Sequence, residues 1–282
     1  MVMGKLYLVG TPIGNLDDMT FRAIKTLKNV DWIAAEDTRH TGKLLQYFEI
    51  TTPQISYHDH NHQSRLSLLL SYLQSGKNIA LVSDAGMPGI SDPGYELVQA
   101  CLAQKIEVIP IPGVTALVTA LVASGLSTER FCFEGFLPTK SKERSDRLEN
   151  LMNDPRTLIF YEAPHRLLET LTDLEKHLGS ERLIVTGREL TKLHEEFWRG
   201  TLTEAIAHYQ QVTPKGEFTV IVQGKKSDPL TVENLSETVL KAELAQLLAE
   251  GMSRSQASRH LAQITQIPRR QLYQLALSLE SS

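Results

Sequence analysis

The chain has 282 residues, 41% of them hydrophobic and 22% charged, with a net charge of −4. Length suggests about two domains, and composition a globular protein with a sizeable core. The charge balance excludes a globally basic nucleic-acid binder. No run of about 18 apolar residues exists to span a membrane. Cys101 and Cys132 both lie in apolar context and read as buried thiols of a reducing compartment rather than a disulfide.

The N-terminus, MVMGKLYLVG, has no signal-peptide layout, and a cytoplasmic protein is expected. Lys5–Val9 reads as a strand, followed by GTPIGNL and a helical pattern of Phe21, Ile24 and Leu27. Asp17 and Asp18 suit the start of that helix. The strand Trp32–Ala35 ends in Glu36-Asp37-Thr38-Arg39-His40, with Thr38 as the expected N-cap of a helix carrying Leu44, Leu45 and Phe48. A short strand near Gln54–Ser56 precedes Tyr57-His58-Asp59-His60-Asn61-His62 and a helix with Leu66, Leu69, Leu70 and Leu73.

The run 78–94, NIALVSDAGMPGISDPG, begins as the buried strand Ile79–Val82 and breaks into turn residues. Asp92 as N-cap and Pro93 at the first helical position predict the start of the helix bearing Tyr95, Leu97, Val98 and Leu102. Ordinary strand-to-helix connections take about 2–6 residues. This longer one predicts a ligand loop at the strand carboxyl ends, where open α/β sheets bind. Glu107–Ile109 follows as a strand, then Pro112-Gly113-Val114-Thr115-Ala116 and a small-residue helix through Ser124-Gly125. Such alternation predicts a doubly wound, mostly parallel sheet.

Phe131–Glu134 reads as the last strand of this half, and the charged turn after Gly135 places a boundary near residue 136. Expected domains are 1–135, 136–228 and 229–282. The second half shows strands at Thr157–Tyr161, Arg182–Thr186 and Phe218–Val222, with helices at His165–His177 and about Leu202–His208. The third unit shows helical patterns at 236–250, 253–265 and 268–280, with Gly251 suited to a C′ position and Ser253 and Gln256 to a capping box.

GTPIGNL follows a strand, but its glycines are out of register with a dinucleotide fingerprint, and Pro12 removes a backbone donor. With no Walker pattern either, a nucleotide-like ligand without phosphates fits best. The alternating histidines 58, 60 and 62 with Asp59 read as a solvated loop capping the next helix, and no zinc spacing of cysteines exists. The cluster at 36–40 is either a salt-bridged turn or a site above the sheet. Tyr161-Glu162-Ala163-Pro164-His165-Arg166, Gly187-Arg188-Glu189-Leu190 and Gly216-Glu217-Phe218 also fall at strand ends and are candidates to face the first half across a cleft. Arg254, Arg259, His260, Arg269 and Arg270 lie in 251–279 without an acid. They suggest a small nucleic-acid-binding unit or a solvated helical cap. Lys140, Lys142, Arg144 and Arg147 form a second candidate basic patch, diluted by Glu143 and Asp146.

Taken together, GTPIGNL, AAEDTRHTGKLL, YHDHN, VSDAG, ISDPGYELV, IPG, ASGL, RFCFEGFLP, RTLIFYEAPHRL, GRELTK and KGEF resemble the ribosomal RNA small subunit methyltransferase I family of the tetrapyrrole methylase superfamily. The likeness covers about residues 4–225 densely and extends to the helical tail. It implies an α/β fold class: two α/β domains of the tetrapyrrole-methylase type with an interdomain cofactor cleft, plus a small C-terminal helical unit. It also implies 2′-O-methylation of a cytidine ribose in the decoding region of 16S rRNA within the small ribosomal subunit. S-adenosylmethionine would be the methyl donor, with no metal and no membrane partner, and the chain would be a homodimer. Carried over position by position, the resemblance puts cofactor contacts at Ile13, Met87, Ile90, Thr115, Ala116, Tyr161, Glu162 and Phe218. Met87 and Gly89 depart from the family pattern, which usually has Thr and a bulky apolar residue there.

A ribose hydroxyl is a poor nucleophile until its proton leaves, so a base within hydrogen-bond reach is expected. Glu36, Asp37, Arg39 and His40 are the candidates for binding the target nucleotide or accepting that proton. Asp92 is an alternative base, against its competing N-cap role. Two other functions remain open: methylation of a small tetrapyrrole, and a non-catalytic nucleotide- or RNA-binding module.

Overall fold

A computed structural model describes residues 3–59, 61–225, 237–265 and 267–279. The chain divides into two compact units, 1–225 and 226–282. In the first, strands and helices alternate as β1 (Leu6–Val9), α1 (Phe21–Asn29), β2 (Trp32–Ala35), α2 (Thr38–Tyr47), β3 (Gln54–Ser56), α3 (His62–Gln74), β4 (Ile79–Val82), α4 (Tyr95–Ala103) and β5 (Val108–Ile111). The strands lie in the order β3-β2-β4-β1-β5, and every pair is parallel. β4 is buried along its whole length, as a strand covered on both faces must be. Its period-2 alternation divides the core. Ala80 and Val82 pack with Ala23 and Leu27 of α1, while Ile79 and Leu81 pack with Leu69 and Leu73 of α3 and Leu97 of α4. Phe21, at the first position of α1, is 93% exposed and takes no part in that packing.

α5 (Ala116–Ser124) ends at Gly125 in the left-handed conformation. The chain then builds a second sheet from β6 (Phe131–Phe136), α6 (Ser141–Leu151), β7 (Thr157–Glu162), α7 (Leu167–Leu178), β8 (Leu183–Arg188), β9 (Glu196–Thr201), α8 (Leu202–Gln211) and β10 (Phe218–Val222). The order is β6-β7-β10-β8-β9. β6 and β7 are parallel, whereas β10 runs antiparallel to β7 and β8, and β9 antiparallel to β8. Phe131–Glu134 is thus part of an edge strand of the second sheet, not the last strand of the first half. Ala120 and Leu121 of α5 pack on Ile159, Val185 and Ile221 of that sheet, so the helix that leaves the first sheet covers the second.

Two elements of the second half go beyond the sequence expectation. α6 carries Arg144, Leu148 and Leu151 on its buried face, and a guanidinium in a core position hides the apolar period. Arg144 is 1% exposed; it pairs with Asp173 at 2.6 Å and with Glu169, and donates to the Pro138 and Thr139 carbonyls. Lys140 pairs with Glu143 and Arg147 with Glu134. Of the basic patch expected at 140–147, Arg144 is therefore an internal ion-paired residue, while Lys140, Lys142 and Arg147 stay exposed. β9 is masked by its polar positions; Arg199 lies over the Phe197 ring and donates to the Ala123 and Ser124 carbonyls at the end of α5.

The second unit consists of α9 (Glu237–Ala249), α10 (Arg254–Thr265) and α11 (Arg269–Ser278). Leu240, Leu244, Ala257, Leu261, Leu272 and Ala276 form its core. Gly251 follows α9 at φ +93°, and Ser253 and Gln256 exchange the reciprocal bonds of a capping box. The outermost expected helical positions, 236 and 280, lie outside the described residues. Arg259, His260, Arg269 and Arg270 are exposed. Among the described residues no helix is long and apolar enough to cross a membrane.

Candidate active site

Three loops meet at the carboxyl ends of β1, β4 and β5, adjacent strands of the parallel sheet. Thr11 and Gly86 exchange main-chain hydrogen bonds of 2.9 and 3.0 Å, and the Thr11 hydroxyl donates to the Ser83 carbonyl at 3.2 Å. Gly10 passes so close to the third loop that a Cβ would lie 2.7 Å from the Gly113 Cα and 2.7 Å from the Met87 sulfur. Only a residue without a side chain permits that approach.

The loop after β4 carries Gly86 and Gly89 at positive φ and Ser91 at φ +60°. α4 begins at Tyr95 with Gly94 as its N-cap, which corrects the expected start at Asp92-Pro93. Gly94 sits at φ +150°, a conformation open to glycine. The Asp92 side chain, meanwhile, is hydrogen-bonded to Ser83 rather than to the helix's free N–H groups.

The second sheet supplies the opposite wall. Because β10 runs antiparallel to β7 and β8, its start lies level with their ends; Phe218 is in register with both Glu162 and Arg188. Between the walls is a cavity of about 290 Å³, near the lower end of the range of about 300–1,000 Å³ usual for small-molecule sites. Ile13, Met87, Ile90, Thr115, Ala116, Tyr161, Glu162 and Phe218 all line it. So do Asp92, Phe136, Leu190, Glu217 and Thr219. Phe136 and Thr219 escape sequence reading. Phe136 follows a bulge between Phe133 and Gly135 that shifts the alternation of β6, and a threonine inside an apolar strand gives no polar signal. Among the described residues no Lys, Arg or His lines the cavity.

The polar groups of the wall differ in what they do. The Tyr161 hydroxyl accepts a hydrogen bond from the Leu117 N–H at 3.2 Å, capping the otherwise uncapped start of α5 from across the cavity. The Glu162 carboxylate accepts from the Ala163 N–H at 2.8 Å and from the Thr170 hydroxyl at 2.6 Å, tying β7 to α7. Glu217 pairs with Lys192 at 3.0 Å on the exposed rim. Asp92 is different: burial, then the negative charge of Glu36 and the charges of Asp84 and Asp59, push its carboxyl up to about 7, against the Ser83 hydrogen bond.

Glu36, Asp37, Arg39 and His40 are not among the cavity-lining residues. They form the neighbouring rim at the end of β2. The Glu36 carboxylate accepts from the Asp84 N–H at 3.2 Å, and the Asp84 carboxylate from the Asp37 N–H at 3.1 Å, so the β2 and β4 loops hold each other. Burial raises the Glu36 pKa. Asp37, not Thr38, is the N-cap of α2, accepting from the Arg39 N–H at 2.8 Å. A short carboxylate side chain at the strand end reaches the first turn while its partner guanidinium folds back on it at 2.6 Å. The Arg39 hydrogen bonds hold Asp37 well below the usual carboxylate range. Arg39 and His40 are exposed.

In the histidine patch, Tyr57 is fully buried, with burial pushing its hydroxyl up to about 12; it belongs to the core rather than to a solvated loop. Asn61 stands at the start of α3 without a side-chain cap bond. His60 and the His62 side chain lie outside the described residues. Among the described residues no group of three His, Cys, Asp or Glu is placed to hold a metal ion.

The tetrapyrrole (corrin/porphyrin) methylase family matches residues 5–206, and the RsmI C-terminal HTH domain matches residues 236–280. Among solved structures, the native uroporphyrin III C-methyltransferase from Thermus thermophilus aligns with a TM-score of 0.57 at 19% identity, covering 78% of this chain and 97% of that one. The methyltransferase CobJ aligns at 0.61, also with 19% identity, covering 78% and 94%. Fold and site thus define a methylase of the tetrapyrrole type. Ribosomal RNA small subunit methyltransferase I of a Synechocystis strain is 63% identical over 99% of both chains. The protein of that name from Bacillus subtilis is 48% identical over 96% of this chain and 93% of its own. The chain belongs to the ribosomal RNA small subunit methyltransferase I family.

Proposed function

We propose that the chain transfers the methyl group of S-adenosylmethionine to the 2′-hydroxyl of a cytidine in the decoding region of 16S rRNA. The observation that carries this reading is the character of the cavity between the sheets. It has apolar walls from Ile13, Met87, Leu190 and Phe218, carboxylates at Asp92, Glu162 and Glu217, and no basic side chain among its described lining residues. A phosphate-bearing dinucleotide would find no cationic partner on those walls. S-adenosylmethionine carries no phosphate and a positive sulfonium, which apolar walls and acidic neighbours suit. When bound, it supplies an electrophilic methyl carbon without help from a metal.

Ile13, Met87, Ile90, Thr115, Ala116, Tyr161 and Phe218 would hold it, with Glu162 fixing the wall through α7. The Met87 sulfur lies against Gly10, 2.7 Å from where a Cβ would stand. Orientation of a hydroxyl against the methyl carbon can supply about 7–11 kcal/mol of the barrier. Arg39 and His40, exposed on the adjacent rim, would meet the target nucleotide.

The helical unit of residues 236–280, similar to an HTH domain, would bind RNA phosphates through Arg259 and Arg270. Replacing both by alanine should weaken binding to small subunits. The salt dependence of log K should flatten by about one unit for each phosphate that the variant no longer holds. We place the enzyme in the cytoplasm as a homodimer.

The test is incubation of the purified chain with methyl-labelled S-adenosylmethionine and either small ribosomal subunits or a porphyrinogen. Label in 16S rRNA at a ribose 2′-oxygen is the expected result. Label in the porphyrinogen alone would make it a tetrapyrrole methylase, and label in neither a binding module.

A further inference from the structure

We propose that Asp92 is the group that takes the proton from the ribose hydroxyl during methyl transfer, and that the carboxylates at 36–37 do not. The assignment rests on the methyltransferase reading above and comes from elimination within one cavity. Among the described residues four titratable side chains line it: Asp92, Tyr161, Glu162 and Glu217. The Tyr161 oxygen is occupied by the Leu117 N–H, and burial raises its pKa further, so it stays protonated at neutral pH. Both oxygens of Glu162 are engaged, one by the Ala163 N–H and one by the Thr170 hydroxyl. Glu217 is 80% exposed and paired with Lys192. Of the four, only Asp92 faces the cavity without an ion pair or a helix cap to hold.

The loop places it there. Ser91 at φ +60° and Gly94 at φ +150° bracket Asp92 and Pro93, and a Cβ on Gly94 would come within 3.0 Å of Leu81 and 3.2 Å of the Gly89 nitrogen. Backbone conformations of this kind persist where the surroundings enforce them, and here they turn Asp92 away from α4 and into the cavity. The groups that face it are Glu36 from the end of β2, Asp59 from the loop after β3, Ser83 and Asp84 from the end of β4, and Tyr161 from β7. Glu36, Asp59 and Asp84 are acids, and none of the five is a cation. A carboxyl so surrounded titrates near neutrality, where a base is best matched to its task.

The step balances. The ribose oxygen bonds to the methyl carbon, the carbon–sulfur bond breaks with its pair left on sulfur as a neutral thioether, and the hydroxyl proton passes to an Asp92 carboxylate oxygen and on to water.

The test compares the wild-type chain with Asp92→Asn and Asp92→Glu. Calorimetric titration with S-adenosylmethionine should show Asp92→Asn losing less than about tenfold in affinity, since one of three acidic neighbours of the sulfonium is gone while the apolar walls stay. Single-turnover transfer to small subunits should fall by about a hundredfold or more in Asp92→Asn. Its dependence on an ionisation near neutrality should vanish, and Asp92→Glu should recover part of the rate. Carbon NMR of aspartate-labelled free protein should find one carboxyl titrating near neutrality that is missing from Asp92→Asn. Transfer by Asp92→Asn within about threefold of wild type, on an unchanged pH profile, overturns the assignment. So does a loss of cofactor affinity as large as the loss of rate. A wild-type chain that binds S-adenosylmethionine yet leaves subunits unmethylated overturns instead the reading on which the assignment rests.

Discussion

The ends of β2 and β4 are neighbouring strand ends in one parallel sheet, both are rich in acids, and they put those acids to opposite uses. At the end of β2, Asp37 caps α2 and pairs with Arg39, and its carboxyl is held ionised far into acid. At the end of β4, Asp92 caps nothing, lines the cavity, and is pushed up to about 7 by burial and by its acidic neighbours. Two carboxylates with pKa values driven apart by environment are the usual mark of divided labour in an active site. A dense polar cluster is therefore not the same thing as a reactive group. The stretch 36–40 is conspicuous in sequence because Asp37 and Arg39 pair within it, while the residue suited to chemistry has Glu36, Asp84 and Asp59 as its chief charged neighbours.

The sharpest way to break this contrast is the rate of methyl transfer. Asp92→Asn should lose about a hundredfold or more, and Asp37→Asn less than about tenfold. Equal losses would erase the difference between the two strand ends. The second consequence lies in stability. Asp92 has an ordinary value of 3.8 and a folded value of about 7. Between those limits the folded chain holds a proton that the unfolded chain has released. Stability contributed by that proton is complete in acid, below the unfolded value, and is lost as pH rises through the folded one. Asparagine carries no such penalty. The melting temperature of Asp92→Asn should match wild type near about pH 4 and exceed it at about pH 8, by about 2–4 °C for each kcal/mol of that penalty at this chain length. Parallel pH curves for the two proteins would show that Asp92 is not displaced.

Much of this is legible in sequence, for physical reasons that vary by region. The first sheet announces itself because β1, β2 and β4 are short apolar runs cut by turn residues, and both faces are covered. The positions Ile13, Met87, Thr115, Tyr161 and Phe218, taken from a family resemblance, all open onto one cavity. The second sheet is harder. Its β9 is amphipathic by way of Arg199 and Trp198, and α6 buries a guanidinium where a pattern search expects leucine. The membership of β6 in that sheet depends on pairing with β7, which no local pattern encodes. The start of α4 misleads because Asp-Pro is a good helix-starting pair; tertiary burial of Asp92 outweighs it, and Gly94 takes the cap.

The smaller tests probe the ties between the two strand ends. Asp37→Ala removes the α2 cap and the partner of Arg39, and should lower the melting temperature by about 2 °C. Because the Asp37 pKa is depressed, its stabilisation is present above about pH 4 and fades in acid. The deficit of the variant should therefore shrink as pH falls, the reverse of the trend for Asp92→Asn.

Glu36→Gln is the most delicate case. Glu36 accepts from the Asp84 N–H, and after burial its charge is the largest contribution keeping Asp92 protonated. Glutamine can still accept that hydrogen bond through its amide oxygen, so the β2–β4 tie survives and the loop stays in place. What disappears is one negative neighbour of Asp92, which makes the ionised form of Asp92 less costly and lowers its pKa. The transfer rate on a pH profile should thus rise earlier, by a fraction of a pH unit toward acid, with the plateau little changed. A profile shifted toward alkali, or a plateau reduced as far as in Asp92→Asn, would mean that Glu36 reaches the reacting atoms itself and that the two strand ends act as one group.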